Sequence, residues 1–382
     1  MAINRVCSGC IGDLDLKKWI RRQGGGRGCD ACGMHDYVTC SISALCAHMT
    51  MSIRQHWAAA DDNLGYCTAE GGYLGAATYD TYDLLVDEIG LDLPRDVGRR
   101  LLLEIIDHLS DNVWCKIDPY RLDVDEIMSM SWRGFCHAIK YKRRFFFNYL
   151  NDDGDEHYSP ASLLNAVARY ADRLDLITSI EVGQSFYRVG LDPKAGSVPT
   201  AGDFGPPPAA LALQSNRMNP PGIPMMYLAS DPETARLEAR RPSAFVGDWK
   251  AHIPLRMLDL RNIPPAPGFF SKMSRYDRLQ LNFLREFRDS IVQPVERTER
   301  INIDYLPSQV ATEYFRDYEF SGGKVCGILY GSTLCAGWNS VVFADRELLG
   351  LDLADESGAP KSLPWLVFEG ALYPVDEVET AR

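Results

Sequence analysis

Asn216-Arg-Met-Asn-Pro-Pro-Gly222, Ile223-Pro-Met-Met-Tyr-Leu-Ala-Ser230 and Asp231-Pro-Glu-Thr-Ala-Arg-Leu-Glu238 place an arginine loop, an apolar strand and a capped helix within 23 residues. Met225, Tyr227 and Ala229 alternate with Met226 and Leu228, the pattern of a strand at least partly buried on both faces. Ser230 and Glu233 have capping-box spacing, and Pro232 suits a first helical turn, where its missing N–H costs nothing. A helix is therefore expected from about residue 231. Ala235 and Leu237 are expected to pack inward and Arg236 and Arg240 to stay wet, with Glu238 two turns in and aimed at the end of the strand.

Working outward, Phe186-Tyr-Arg-Val-Gly190 reads as an earlier strand, and Gly327-Ile-Leu-Tyr-Gly-Ser332 with Gly337-Trp-Asn-Ser-Val-Val-Phe343 as a closing strand pair. Together these four segments resemble the RES family of NAD-consuming toxins, named for an arginine, a glutamate and a serine. The resemblance runs from residue 186 to 343 in the family's order. It places Arg188 on the first arginine, Arg217 on the second, Tyr227 on the tyrosine, Glu238 on the glutamate, Ser332 on the serine and Asn339 on the asparagine of the closing hairpin. The Gly/Pro-rich segment from Leu191 to Pro208 departs from many short members.

The resemblance implies NAD as substrate. Cleaving the nicotinamide–ribose bond builds positive charge on the ribose, so an anion is needed beside the sugar and cations beside the pyrophosphate. Glu238 would meet the first need as glycosidase carboxylates do. Arg188 and Arg217 would meet the second with bidentate geometry. Tyr227 would contact nicotinamide or ribose, and Ser332 and Asn339 an amide or phosphate. Each residue also has an ordinary reading: a surface pair of Glu238 with Arg236 or Arg240, strand-end ion pairs for the arginines, core packing for Tyr227, and turn chemistry for Ser332 and Asn339.

At 382 residues the chain is long enough for two or three domains, and its 46% hydrophobic and 24% charged residues are ordinary globular values. A net charge of -12 opposes the basic field of a non-specific nucleic-acid binder. No apolar run approaches a bilayer span and no signal-peptide core is present, so the expected location is the cytoplasm.

Cys7-Ser-Gly-Cys10 and Cys29-Asp-Ala-Cys32 form a C-x2-C pair repeated after 18 residues, the spacing of zinc ribbons and knuckles. Four thiolates close a tetrahedral structural site, leaving no open position for catalysis. His35, just past the second pair, is expected at the surface. The eleven cysteines are an odd number in a large chain, which argues against a disulfide framework.

From about 38 to 150 the chain reads as mostly helical, with helices expected over Ser41 to Trp57, Tyr79 to Ile89, Val97 to Leu109 and Ser131 to Tyr149, and another over Ser159 to Leu176. Long RES proteins place a similar zinc knuckle and HEPN-like domain ahead of the toxin domain. The ribonuclease motif of many HEPN domains, Arg and His separated by four to six residues, has no match: Arg100 and His108 lie too far apart, Arg133 and His137 too close. The basic run from Arg133 to Arg144 beside Phe145-Phe-Phe147 reads as a solvated helix face.

The second half mixes strands expected at Ser185–Val189, Pro224–Ala229, Trp249–Leu260, Lys324–Tyr330 and Ser340–Ala344 with helices over Asp231–Arg240, Arg275–Ile291 and Pro307–Tyr318, the last with Val310, Tyr314 and Phe315 inward. The fold class is α+β: a zinc knuckle over 1–38, a helical HEPN-like domain over 39–150, a linker helix over 151–180 and an ADP-ribosyltransferase-like RES domain over 181–382. The reading is an NAD-consuming toxin or defence effector. The alternatives are a protein ADP-ribosyltransferase and a zinc-containing nucleic-acid or partner-binding regulator with a silent RES domain. Partners consistent with it are NAD, a restraining antitoxin or activating protein, and a second copy of the chain. The N-terminal half is a candidate for restraining the activity.

Overall fold

The computed structural model describes every residue except 1, 24, 27, 95, 110–111, 146–156, 191–196, 243, 294–299, 353–362 and 373–382. Gly24, Arg27, Phe146, Phe147, the acidic run 151–156 and the start of the Gly/Pro-rich segment lie outside the described residues. The chain divides into two compact units, Met1–Val124 with Pro265–Asn282, and Asp125–Pro264 with Phe283–Arg382.

The first unit opens with strand β1 (Arg5–Cys7), helix α1 (Leu14–Gln23), strand β2 (Thr39–Ser41) and helix α2 (Ile42–Ile53). It continues with β3 (Trp57–Ala59), α3 (Ala60–Asn63), the β4 (Tyr66–Cys67) and β5 (Gly72–Tyr73) hairpin, α4 (Thr81–Asp83), α5 (Gly98–Leu109) and β6 (Trp114–Lys116). β1 pairs with β2 and β3 with β6, both antiparallel. Ser41 caps α2 by accepting from Ala44 N–H. That helix ends at Ile53, short of the expected Trp57, which instead begins β3. The segment expected as one helix over Tyr79 to Ile89 is the short α4 followed by a π-helical turn, Leu84–Glu88, whose Leu84 and Leu85 are fully buried. Leu45, Met49, Leu101, Ile105 and Phe270 share one core with Cys7, Cys10 and Cys29.

The second unit begins with α6 (Val124–Tyr141) and α7 (Pro160–Arg173) and continues with β7 (Ile177–Ile180), β8 (Ser185–Val189), α8 (Ala201–Phe204), β9 (Met226–Ala229) and α9 (Pro232–Ala239). Next come β10 (Val246–Ala251), β11 (Leu255–Asp259), the part of α10 (Arg275–Val292) from Phe283 onward, α11 (Ile301–Asp304), α12 (Leu306–Asp317), β12 (Gly327–Gly331), β13 (Trp338–Val342) and β14 (Leu366–Leu372). Eight strands form one sheet in the order β14-β10-β8-β9-β13-β12-β11-β7. Among the described residues only β11 and β12 run parallel. The expected single strand Trp249–Leu260 is two strands, β10 and β11. They break at Pro254, whose missing N–H cannot serve a ladder.

α6 starts seven residues before the expected Ser131, because that serine sits inside the helix with its hydroxyl donating to the Ile127 carbonyl at 2.8 Å. Along α10 it packs Trp132 edge-on to Phe287, with Trp132 Nε1 donating to Ser290 Oγ at 3.0 Å, and Lys140 pairs with Asp304 at 3.1 Å. Burying aromatic side chains of this kind contributes about 2–3 kcal/mol each. All eleven cysteines are free, and among the described residues no helix is long and apolar enough to cross a membrane.

Candidate active site

The arginine loop is held from α12. Gln309, 4% exposed, uses Nε2 to reach Ser215 Oγ at 2.9 Å and the carbonyls of Asn216 at 2.8 Å and Asn219 at 3.2 Å. Ser308 Oγ donates to the Arg217 carbonyl. The inward stripe of α12 is therefore Ser308, Gln309, Ala311, Thr312 and Phe315. Val310 and Tyr314, expected inward, are only half-buried.

Beyond the loop, Tyr227 in β9 donates its hydroxyl to Asn219 Oδ1 at 2.7 Å and accepts from Met218 N–H at 3.0 Å. Burial drives its phenol pKa upward, so Tyr227 is a neutral anchor for the loop. β8 and β9 are bridged through one pair alone, Tyr187 with Ala229. Beside that bridge Arg188 Nη1 donates to the Tyr227 carbonyl at 3.0 Å. Desolvation lowers the Arg188 guanidinium to about 10, which leaves it cationic at neutral pH.

α9 follows with Asp231 as its N-cap, accepting from Thr234 N–H at 2.8 Å. The expected cap, Ser230, instead donates to Asp231 and accepts from Trp338 N–H at 3.1 Å, tying the helix start to β13. Gly337 allows that approach, since a Cβ there would stand 2.0 Å from Thr234 Oγ1. Ala235 packs inward as expected, but Leu237 is 42% exposed. One turn beyond Thr234, Glu238 Oε1 accepts from Ser332 Oγ and from Asn339 Nδ2, both at 2.7 Å. No described residue occupies Oε2 or forms an ion pair with Glu238, so the ordinary alternative, a surface pair with Arg236 or Arg240, is not formed.

Tyr330 lies opposite Asn339 in the β12–β13 ladder, and the Arg217 guanidinium rests over its ring, 5.6 Å from the centroid. Arg217 Nη1 also donates to the Val292 carbonyl at the end of α10. The structure thus brings Glu238, Ser332 and Asn339 into direct contact and links Arg217 to them through Tyr330. Arg188 and Tyr227 form the adjoining strand gap. Tyr330, Asn219 and Gln309 were not singled out in the sequence; Tyr330 stands in the Gly-Ile-Leu-Tyr-Gly-Ser segment, and Gln309 was hidden by the assumption that a buried stripe is apolar.

In the first unit, Cys7, Cys10, Cys29 and Cys32 gather their Sγ atoms within 4.8 Å of one another. Cys7 and Cys10 stand at 3.6 Å, Cys10 and Cys29 at 3.7 Å, and Cys7 and Cys32 at 3.8 Å. A tetrahedron of thiolates at the zinc–sulfur distance has edges of about 3.8 Å, so the donor set fits a four-coordinate metal. Gly33 N–H donates to the Cys29 carbonyl at 2.8 Å in a left-handed turn with φ 72°, and His35 is exposed outside the cluster.

Residues 22–153 match the HEPN/RES N-terminal domain 1 family and residues 185–365 the RES domain family. No curated protein matches the chain. Among solved structures, it is similar to a chain of the crystal structure of the M. tuberculosis MbcT–MbcA toxin–antitoxin complex. The identity is 13%, the match covers 55% of this chain and 91% of that one, and the TM-score is 0.27. The chain carries a HEPN/RES N-terminal domain followed by a RES domain.

Proposed function

We propose that this protein is an NAD-consuming enzyme that cleaves the nicotinamide–ribose bond, acting as a toxin or defence effector. The observation that carries the reading is Glu238: one oxygen is locked by Ser332 and Asn339, and the other is left to a ligand. A carboxylate fixed on one side and open on the other is oriented before substrate arrives, the condition for electrostatic stabilisation of a developing cation. The RES domain match over 185–365 supports the same reading.

In the proposed reaction the bond between ribose C1′ and nicotinamide nitrogen breaks, and its electron pair neutralises the pyridinium. Glu238 Oε2 stabilises the oxocarbenium-like ribose. A water or phosphate oxygen then bonds to C1′ and, where water attacks, releases a proton to solvent. The products are nicotinamide with ADP-ribose or its 1-phosphate. Arg217 and Arg188 hold the pyrophosphate, Tyr227 keeps the arginine loop in register, and Ser332 and Asn339 position Glu238. The four cysteines would hold a structural zinc ion, which with all four positions taken by thiolates would play no part in these steps.

NAD loss with product identification, run on wild type and Glu238→Gln with and without phosphate, tests this. Loss abolished by Glu238→Gln is expected, and a phosphorylated sugar product distinguishes phosphorolysis from hydrolysis. Label transfer to a macromolecule without free ADP-ribose would replace this reading with protein ADP-ribosylation. No NAD loss and no transfer would reject it.

A further inference from the structure

Besides Glu238 Oε2, the Glu238 cluster holds a second polar group with no internal use among the described residues. The Tyr330 ring is nearly buried, at 7% exposure for the whole residue, while its hydroxyl is bonded to no described residue and still meets solvent. Tyr227, the other tyrosine of the site, commits its hydroxyl twice, to Asn219 and Met218. A hydroxyl left uncommitted and within reach of solvent, on a ring this buried, is a donor free for a ligand and has a reason to stand there.

Its place suggests the reason. Tyr330 lies directly opposite Asn339, so the two share one face of the sheet, and Asn339 donates to Glu238. Its ring carries the Arg217 guanidinium. It is thus the side chain that joins the carboxylate meant for ribose to the cation meant for phosphate. Burial and the nearby negative charge of Glu238 raise the phenol to about 12 against the pull of Arg217, so it is a proton donor at neutral pH.

We infer that Tyr330 is a further substrate-binding residue, whose hydroxyl donates to a ribose or phosphate oxygen of a dinucleotide held between Glu238 and Arg217. This rests on the NAD-consuming reading. The ring has a separate task as the platform of Arg217, so two substitutions divide the roles. Tyr330→Phe removes the donor and keeps the platform. Tyr330→Leu removes both.

The experiment measures kcat and KM for NAD and the thermal midpoint of the full chain for wild type and both variants. For Tyr330→Phe, KM is expected to rise about tenfold, the effect of one lost hydrogen bond to substrate, with kcat changed less. Its thermal midpoint should be equal or higher, because no internal bond is lost. Tyr330→Leu should raise KM further and lower the midpoint. A Tyr330→Phe enzyme with wild-type KM and kcat would overturn the proposal, as would a lowered midpoint accounting for the whole change. A wild type that consumes no NAD would sink the functional reading and this proposal with it, an outcome distinct from equal activity of wild type and Tyr330→Phe.

Discussion

The sheet carries two arginine–aromatic–carboxylate clusters made of similar parts. At the end of β11, Asp259 Oδ1 accepts from the Arg261 N–H and Nε, both at 2.9 Å, and Oδ2 accepts from Arg261 Nη2 and Asn262 Nδ2, both at 2.7 Å. The Arg261 guanidinium stacks 4.5 Å from the Trp338 ring centroid. At the other cluster Glu238 accepts two bonds on one oxygen, and Arg217 stacks on Tyr330 without forming an ion pair among the described residues. Asp259 is 1% exposed and its acceptor positions are filled. The first cluster is closed and gives its electrostatics to the fold. The second keeps an anion, a cation and a phenol apart and open, which is what a ligand with a sugar and phosphates requires.

The knuckle is the most closed case, and its disruption should have the largest effect. Chelating the metal should abolish cooperative unfolding of the N-terminal unit, since structural zinc in small domains contributes on the order of 10 kcal/mol. Metal content by elemental analysis, followed against circular dichroism, checks this. NAD turnover falling with metal content while the fold persists would make the metal catalytic and break the division between closed and open sites.

Glu238→Gln should come next, with turnover down by about 10³-fold, roughly 4 kcal/mol of transition-state stabilisation. The amide oxygen can still accept from Ser332 and Asn339, so the thermal midpoint should barely move. Retained activity would put the chemistry elsewhere. Asp259→Ala should do the reverse. It leaves Arg261 with its charge uncompensated and should cost about 3 kcal/mol in urea unfolding, near the lower end for broken buried pairs, with KM for the folded fraction unchanged. Loss of turnover with wild-type stability would show that the closed cluster also serves the reaction.

The sequence revealed these clusters unevenly, for physical reasons. Glu238, Ser332 and Asn339 sit on local patterns: a Pro-started helix after an apolar run, and a Gly-flanked strand pair. Their mutual contact depends on strand order, which no local pattern encodes. Asp231 rather than Ser230 caps α9 because Ser230 is engaged by Trp338 from a distant strand. Gln309 escaped notice because burial of polar groups is dictated by the loop carbonyls they meet. β14 reads Leu-Val-Phe-Glu-Gly-Ala-Leu, whose alternation is interrupted by Gly370, and its place at the sheet edge left little signal.

The smallest effect tests whether the open cluster can be reached from outside. Cys335 lies in the turn between β12 and β13, and its Sγ is 3.4 Å from Thr234 Oγ1. Hydrogen bonds with Thr234 and Ser332 hold its thiol below the ordinary range, whereas burial raises Cys40 to about 11 and Cys46 and Cys136 to about 12. A lowered thiol pKa means more thiolate at a given pH, so the labelling rate should level off at a lower pH for Cys335 than for a free cysteine. Near neutral pH iodoacetamide should modify Cys335 roughly tenfold faster than Cys46 or Cys136. Peptide mass spectrometry over a pH series measures this. Because Ser332 also donates to Glu238, the modification should slow NAD turnover, and NAD should slow the modification. Equal labelling of Cys335 and Cys46 would mean that the turn is shielded, and the Glu238 cluster would then be as closed as that of Asp259.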